Sequence, residues 1–243
     1  MSARRYVYDT LEAAARACAK NIADVLEGAL AGAPATTLAI SGGSTPLRMF
    51  EFLAGAAIDW ARVHLFWVDE RAVPPSDPQS NYLAAEQALI RPARIPPENV
   101  HRIRAELPPE EAAEAYADEI RTYFHLKPDE LPVFDVIHCG MGADAHTASL
   151  FPGEPLIEDG ANIAAAVYVK KLAQHRITLL PGVLRKAAHV VFLVGGEDKR
   201  TALRAVFEAP YDPHEYPAQL VARGGREVLW FLDRAAAGPA DEP

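Results

Sequence analysis

The chain has 243 residues, half of them apolar, and a net charge of −9. That is enough for one large α/β domain, and an acidic balance without a basic stripe argues against nucleic acid as a partner. There is no signal-type apolar core and no membrane-length run. The two cysteines, Cys18 and Cys139, lack matching histidine spacing, so a soluble cytoplasmic protein without a metal site is expected.

Asp9-Thr10-Leu11-Glu12 has the form of a capping box with Asp9 in the capping place, opening a helix to about Leu30. Thr36 to Ile40 is a predicted strand. Ser41-Gly42-Gly43-Ser44-Thr45 follows as a loop, and Pro46 is expected at the first position of the next helix. Val63 to Val68 is a second strand, followed by a Pro-rich loop from Asp69 to Gln79. Helices are predicted over Tyr82 to Ile90 and Glu110 to Phe124.

Val133 to His138 reads as a buried strand leading into Gly140-Met141-Gly142-Ala143-Asp144-Ala145-His146, a turn of small residues. A strand is expected near Ile163 to Val169. Val190 to Val194 is a continuous apolar run typical of a strand covered on both faces, with Gly195-Gly196 ending it and a helix following to about Phe207. Glu227 to Leu232 is a last strand. This alternation predicts a Rossmann-like α/β fold, a mainly parallel sheet with helices on both faces. We expect one domain over 1–234 and a mobile tail over 235–243. The Pro-rich loops at 72–78, 92–97 and 208–217 read as ordered surface excursions, with plain spacing as the alternative.

The distinctive residues fall after four strands: the Gly42-Gly43 loop, Asp69-Glu70-Arg71, Asp144 with His146, and Gly195-Gly196 with Lys199. In a parallel sheet these carboxyl ends share one edge and can surround one crevice. Uncovered N–H groups of Gly42, Gly43, Ser44 and Thr45, feeding a helix start, suit a phosphate. The loop is neither a Walker loop nor the dinucleotide fingerprint, so no nucleotide cofactor is supported. Arg71 can bind an anion bidentately, with Asp69 or Glu70 fixing it or a substrate hydroxyl. Asp144 can set the His146 tautomer or hold the turn. Lys170-Lys171 with Arg176 forms a second basic island, and Lys199 opens a helix where a bound phosphate would offset its unfavourable place on the dipole.

These segments resemble the 6-phosphogluconolactonases. The resemblance rests on Ser41 to Pro46, Asp69 to Pro74 with Ser80-Asn81-Tyr82, Gly140 to Gly153, Arg176 to Leu179, Gly195 to Lys199, Tyr216 to Ala218 and Trp230 to Asp233. It implies hydrolysis of 6-phosphoglucono-1,5-lactone to 6-phosphogluconate in the oxidative pentose phosphate pathway, without metal or organic cofactor. It also implies a fold shared with sugar-phosphate deaminases and isomerases.

On this reading His146 is the expected general base, with Asp144, Arg71 and Asp69 in the catalytic set. Gly42, Gly43, Ser44, Thr45, Lys171, Arg176 and Lys199 are expected around the substrate's anionic groups. A monomer is expected, with a small sugar-phosphate lactone as partner and neither nucleic acid nor membrane.

The family's Asp-Gly-His stands here as Asp144-Ala145-His146. If that middle position has positive φ, alanine costs about 1–2 kcal/mol or shifts the turn. The family's Lys-Pro-Pro is Lys171-Leu172-Ala173, and Leu180-Pro181 replaces a threonine-containing continuation. The alternatives are a deaminase or isomerase of the same fold, or a non-catalytic sugar-phosphate sensor. The deaminases carry an acid shortly after the motif histidine, where this chain has Phe151. A sensor could dispense with His146, and no DNA-binding segment is expected before the domain.

Overall fold

A computed structural model describes residues 3–224 and 227–238. In chain order the elements are β1 (Arg4–Tyr8), α1 (Leu11–Leu30), β2 (Thr36–Ile40), α2 (Leu47–Ala54), β3 (Val63–Trp67) and β4 (Asp69–Arg71). Next come α3 (Asn81–Ala85), a π-helical turn over Glu86–Ile90, α4 (Arg91–Ala93), β5 (Val100–His101), α5 (Pro109–Tyr123) and β6 (Val136–Cys139). The chain then forms β7 (Ala164–Val169), β8 (Gln174–Leu179), α6 (Pro181–Lys186), β9 (His189–Val194), α7 (Arg200–Glu208), α8 (Ala218–Ala222), β10 (Glu227–Asp233) and α9 (Arg234–Ala237).

Seven strands form one parallel sheet in the order β1-β10-β9-β6-β2-β3-β5. The α/β expectation holds. All of β2 is buried, and so is β9 beyond its first residue, as the unbroken apolar run of β9 required. The two threonines of β2 are satisfied by one carboxylate: Asp135 Oδ2 accepts from Thr36 Oγ1 (3.0 Å), Thr37 N (2.8 Å) and Thr37 Oγ1 (2.9 Å). Strands β9, β6, β2 and β3 are consecutive neighbours, so the four motif-bearing ends do share one edge.

A second sheet was not foreseen. Residues 69–71, expected in a loop, form β4 and pair antiparallel with β8, which pairs with β7. The Val68 amide donates to Ile40 O (2.8 Å), and the Leu179 amide donates to Val68 O (2.8 Å), so the small sheet is hung directly on the end of β3.

Local expectations shift in three places. Thr10, not Asp9, caps α1, accepting from Ala13 N at 3.1 Å. Pro46 takes the capping position of α2, one residue earlier than expected. The start of the expected tail is helical instead: Arg234–Ala237 form α9, with Asp233 accepting from Ala236 N at 2.7 Å. Positions 239–243 lie outside the described residues.

Candidate active site

The carboxyl ends of the four central strands enclose a cavity of about 210 Å³. Its wall contains the loop from Ser41 to Pro46, Asp69 and Arg71 of β4, Gly140 to Gly142, His146, Arg176 of β8, and Lys199. Every site residue expected from the sequence lines it except Asp144 and Lys171.

Asp144 stands behind His146. Its Oδ1 lies 2.6 Å from His146 Nδ1 and accepts from the His146 amide at 3.3 Å. Orienting the ring and holding the turn are therefore done by the same oxygen. A carboxylate only accepts, so Nδ1 carries the proton and Nε2 keeps its lone pair. Among the described residues, Nε2 has no hydrogen-bond partner. Burial lowers the His146 pKa to about 4; Asp69 opposes that fall, while Arg176 and Lys199 add to it. The imidazole is neutral at pH 7.

Lys171 does not line the cavity but stands behind Asp144. Its ammonium pairs with Asp144 Oδ2 and lies 4.4 Å from the centroid of the Phe151 ring.

The turn depends on close backbone approach. A Cβ on Gly142 would come within 2.0 Å of His146 Nδ1, so the ring can lie against this backbone only where there is no side chain. Gly142 N donates to His146 O (2.9 Å), and Ala145 N donates to Gly142 O (3.0 Å). Ala145 adopts φ 61 and Ala148 φ 52, so the turn is kept, with alanines in a conformation that favours glycine. Two bonds clamp the turn from outside: Ala218 N donates to Ala145 O (2.9 Å), and Gly153 N donates to His214 O (2.8 Å).

The two acidic candidates separate. Asp69 lines the cavity, accepts from Ser149 Oγ at 2.7 Å and lies 3.8 Å from Arg176. Glu70 faces away and is buried. It accepts from the amides of Arg71 (2.8 Å), Asn81 (2.7 Å) and Tyr82 (2.8 Å) and from Ser80 Oγ (3.0 Å). Burial pushes its carboxyl pKa up, and those four bonds oppose it.

Arg71 and Arg176 are opposed in the β4–β8 register. The Nε of each is buried without a partner, and Arg71 Nη1 donates to Gln79 O. Across the cavity, the N–H groups of Gly42, Gly43, Ser44 and Thr45 donate to no partner among the described residues. Gly43 has φ 104. A Cβ on Gly42 would lie 1.9 Å from Asn81 Oδ1. Asn81 also lines the cavity, and its Nδ2 donates to Asp69 O at 2.8 Å. Asn81 had no role assigned from its sequence context; its place directly after the Pro-rich excursion was the available signal.

The family model for glucosamine-6-phosphate isomerases/6-phosphogluconolactonase matches residues 9–230. The chain belongs to this family. Among curated relatives, the 6-phosphogluconolactonase of Synechocystis is 39% identical over 201 residues, 82% of each chain. The human 6-phosphogluconolactonase is 36% identical over 95% of this chain and 91% of its own length. The crystal structure of 6-phosphogluconolactonase from Thermotoga maritima superposes with a TM-score of 0.84 at 30% identity, covering 96% of this chain and all of that one. Within the family, this chain has the Phe151 ring, not an acid, stacked on the motif histidine, with centroids 4.2 Å apart.

Proposed function

We propose that the chain hydrolyses 6-phospho-D-glucono-1,5-lactone to 6-phospho-D-gluconate, with His146 as general base. One observation carries the reading: a neutral imidazole with a free Nε2 shares a small cavity with the Gly42–Thr45 amides and three cations, Arg71, Arg176 and Lys199. The family relatives bearing this activity support the substrate.

A lactone is an activated ester, so water needs a base and a stabilised oxyanion. His146 Nε2 takes a proton from water as the oxygen attacks the C1 carbonyl. The tetrahedral oxyanion collapses and breaks the bond to the ring oxygen. The imidazolium returns the proton to that oxygen, leaving a free carboxylate after ionisation. Asp144 holds the tautomer and stabilises the transient imidazolium. The loop amides and cations hold the phosphate and the developing negative charge.

The reading extends to a monomeric cytoplasmic protein with no nucleic-acid partner; the acidic net charge of −9 supports the absence of nucleic acid, and two buried, unbridged cysteines fit a reducing compartment. No helix among the described residues is long and apolar enough to cross a membrane. The deaminase alternative loses support because Phe151 occupies the space beside His146.

The test is proton release from freshly generated lactone, measured above the spontaneous rate. No acceleration by the wild-type chain removes the lactonase reading. Equal rates for wild type and His146→Ala remove His146 as base.

A further inference from the structure

Asp144 holds one nitrogen of His146, and the Gly142 backbone lies close to the same nitrogen. The Phe151 ring stacks on the imidazole, centroids 4.2 Å apart at 27°, and adds a constraint on the ring plane. Phe151 is itself held by a small apolar cluster separate from the main core, made of Phe151, Val167 and Val169 with Leu156 packed against it. Val167 and Val169 belong to β7, whose hairpin with β8 carries Arg176 on its other strand and Lys171 at its connection. The Phe151 ring thus lies between the catalytic turn and the hairpin that supplies two cations, with Lys171 Nζ at 4.4 Å and Arg176 Cζ at 5.9 Å from its centroid.

We propose that Phe151 is a positioning residue for the general base, setting the plane of the His146 ring and shielding one of its faces from water. This rests on the lactonase reading for its kinetic part only. The charged groups facing the imidazole are Asp144 on its own turn, Asp69 and Arg71 on β4, Arg176 on β8, Lys171 at the hairpin connection, and Lys199 after β9. None of them is removed by changing Phe151. Because Lys171 and Arg176 lie over the Phe151 ring, a change in imidazole titration reports loss of the shield where Phe151→Leu, which also lacks the ring, keeps the midpoint low. The low pKa of His146, whose first cause is burial, agrees with such a shield.

The experiment compares wild type, Phe151→Ala, Phe151→Leu and Phe151→Tyr by NMR titration of the His146 imidazole and by kcat and KM. Phe151→Ala should raise the imidazole midpoint by about one pH unit or more toward the ordinary histidine value. It should also lower kcat about 10- to 100-fold with a smaller change in KM. Phe151→Leu should keep most of the low midpoint, because the face stays covered, yet lose kcat. Phe151→Tyr should restore both. A folded Phe151→Ala with unchanged midpoint and kcat overturns the proposal. So does loss of kcat in Phe151→Tyr equal to that in Phe151→Ala. If no variant and no wild type hydrolyses the lactone, the substrate reading fails while the titration still decides the shield.

Discussion

Arg71 and Arg176 stand directly opposite each other across the β4–β8 ladder. Like charges at opposed ladder positions repel, and burial reduces the screening that would relieve them. Burial works against the charge on Arg176; Asp69 supports that charge, Arg71 opposes it, and Glu70 supports it. An anion bound between the two guanidiniums satisfies both at once.

Arg176→Gln should therefore raise KM for the lactone about 10- to 100-fold, the worth of a charge-assisted contact, with a smaller effect on kcat. Steady-state kinetics at constant ionic strength checks this. A fall confined to kcat would assign Arg176 to the reacting carbonyl instead.

Inorganic phosphate should protect the free protein. At about a hundredfold excess over its Kd it adds about 2.7 kcal/mol, seen as a rise in Tm beyond that given by matched sodium chloride. Arg71→Gln and Arg176→Gln should each lose most of that rise. Equal shifts in phosphate and chloride would contradict an anion site.

The pH profile of kcat/KM should be flat from pH 8 down to about pH 5 and fall below that, because the base works only when neutral and its pKa is about 4. An ordinary exposed histidine would lose activity through pH 6.5. An acid limb at that higher value would show that the ring is not shielded in the working enzyme.

Stability should also depend on pH through His138, which is buried in β6 with both ring nitrogens unpartnered. Burial lowers its pKa to about 3. Below the unfolded value of about 6.5 the unfolded chain binds the proton and the folded one does not. The stability present above pH 6.5 is therefore lost as pH falls, by about 1.4 kcal/mol per pH unit from this group. Denaturant unfolding between pH 6.5 and 5 should show a shallower slope in His138→Met. An unchanged slope would show that His138 gains water or a partner.

Ala145→Gly should stabilise the protein by about 0.5–1 kcal/mol, the relief of left-handed strain less the entropy of glycine. This appears as a Tm rise of about 1–4 °C. Ala145→Val should do the opposite. A fall in Tm for the glycine variant would show that the methyl group, 1% exposed, contributes more through packing than it costs in strain.

Much of the fold was legible because the central strands are short, mostly apolar runs followed by glycine or charged residues. The convergence of the Ser41, Asp69, His146 and Lys199 segments followed from parallel strands alone. The β4–β8 pairing was not legible: Asp-Glu-Arg has no apolar alternation, and its strand character comes from being hung on β3. β1, Arg4–Tyr8, was missed for a similar reason, as a charged edge strand largely exposed. The Phe151 contact escaped because positive φ at Ala145 and Ala148 folds the chain back at a spacing that neither helix nor strand periodicity describes. The pairing of Lys171 with Asp144 was not legible, because the two lie 27 positions apart.

The bonds from Ala218 N to Ala145 O and from Gly153 N to His214 O give the Pro-rich excursion at 208–217 a further role. It serves as a splint across both ends of the turn that carries His146. Insertions or affinity tags should thus be tolerated in the excursion at 74–78, but not between His214 and Ala218. A lengthened splint would let the base drift without touching any residue in the cavity.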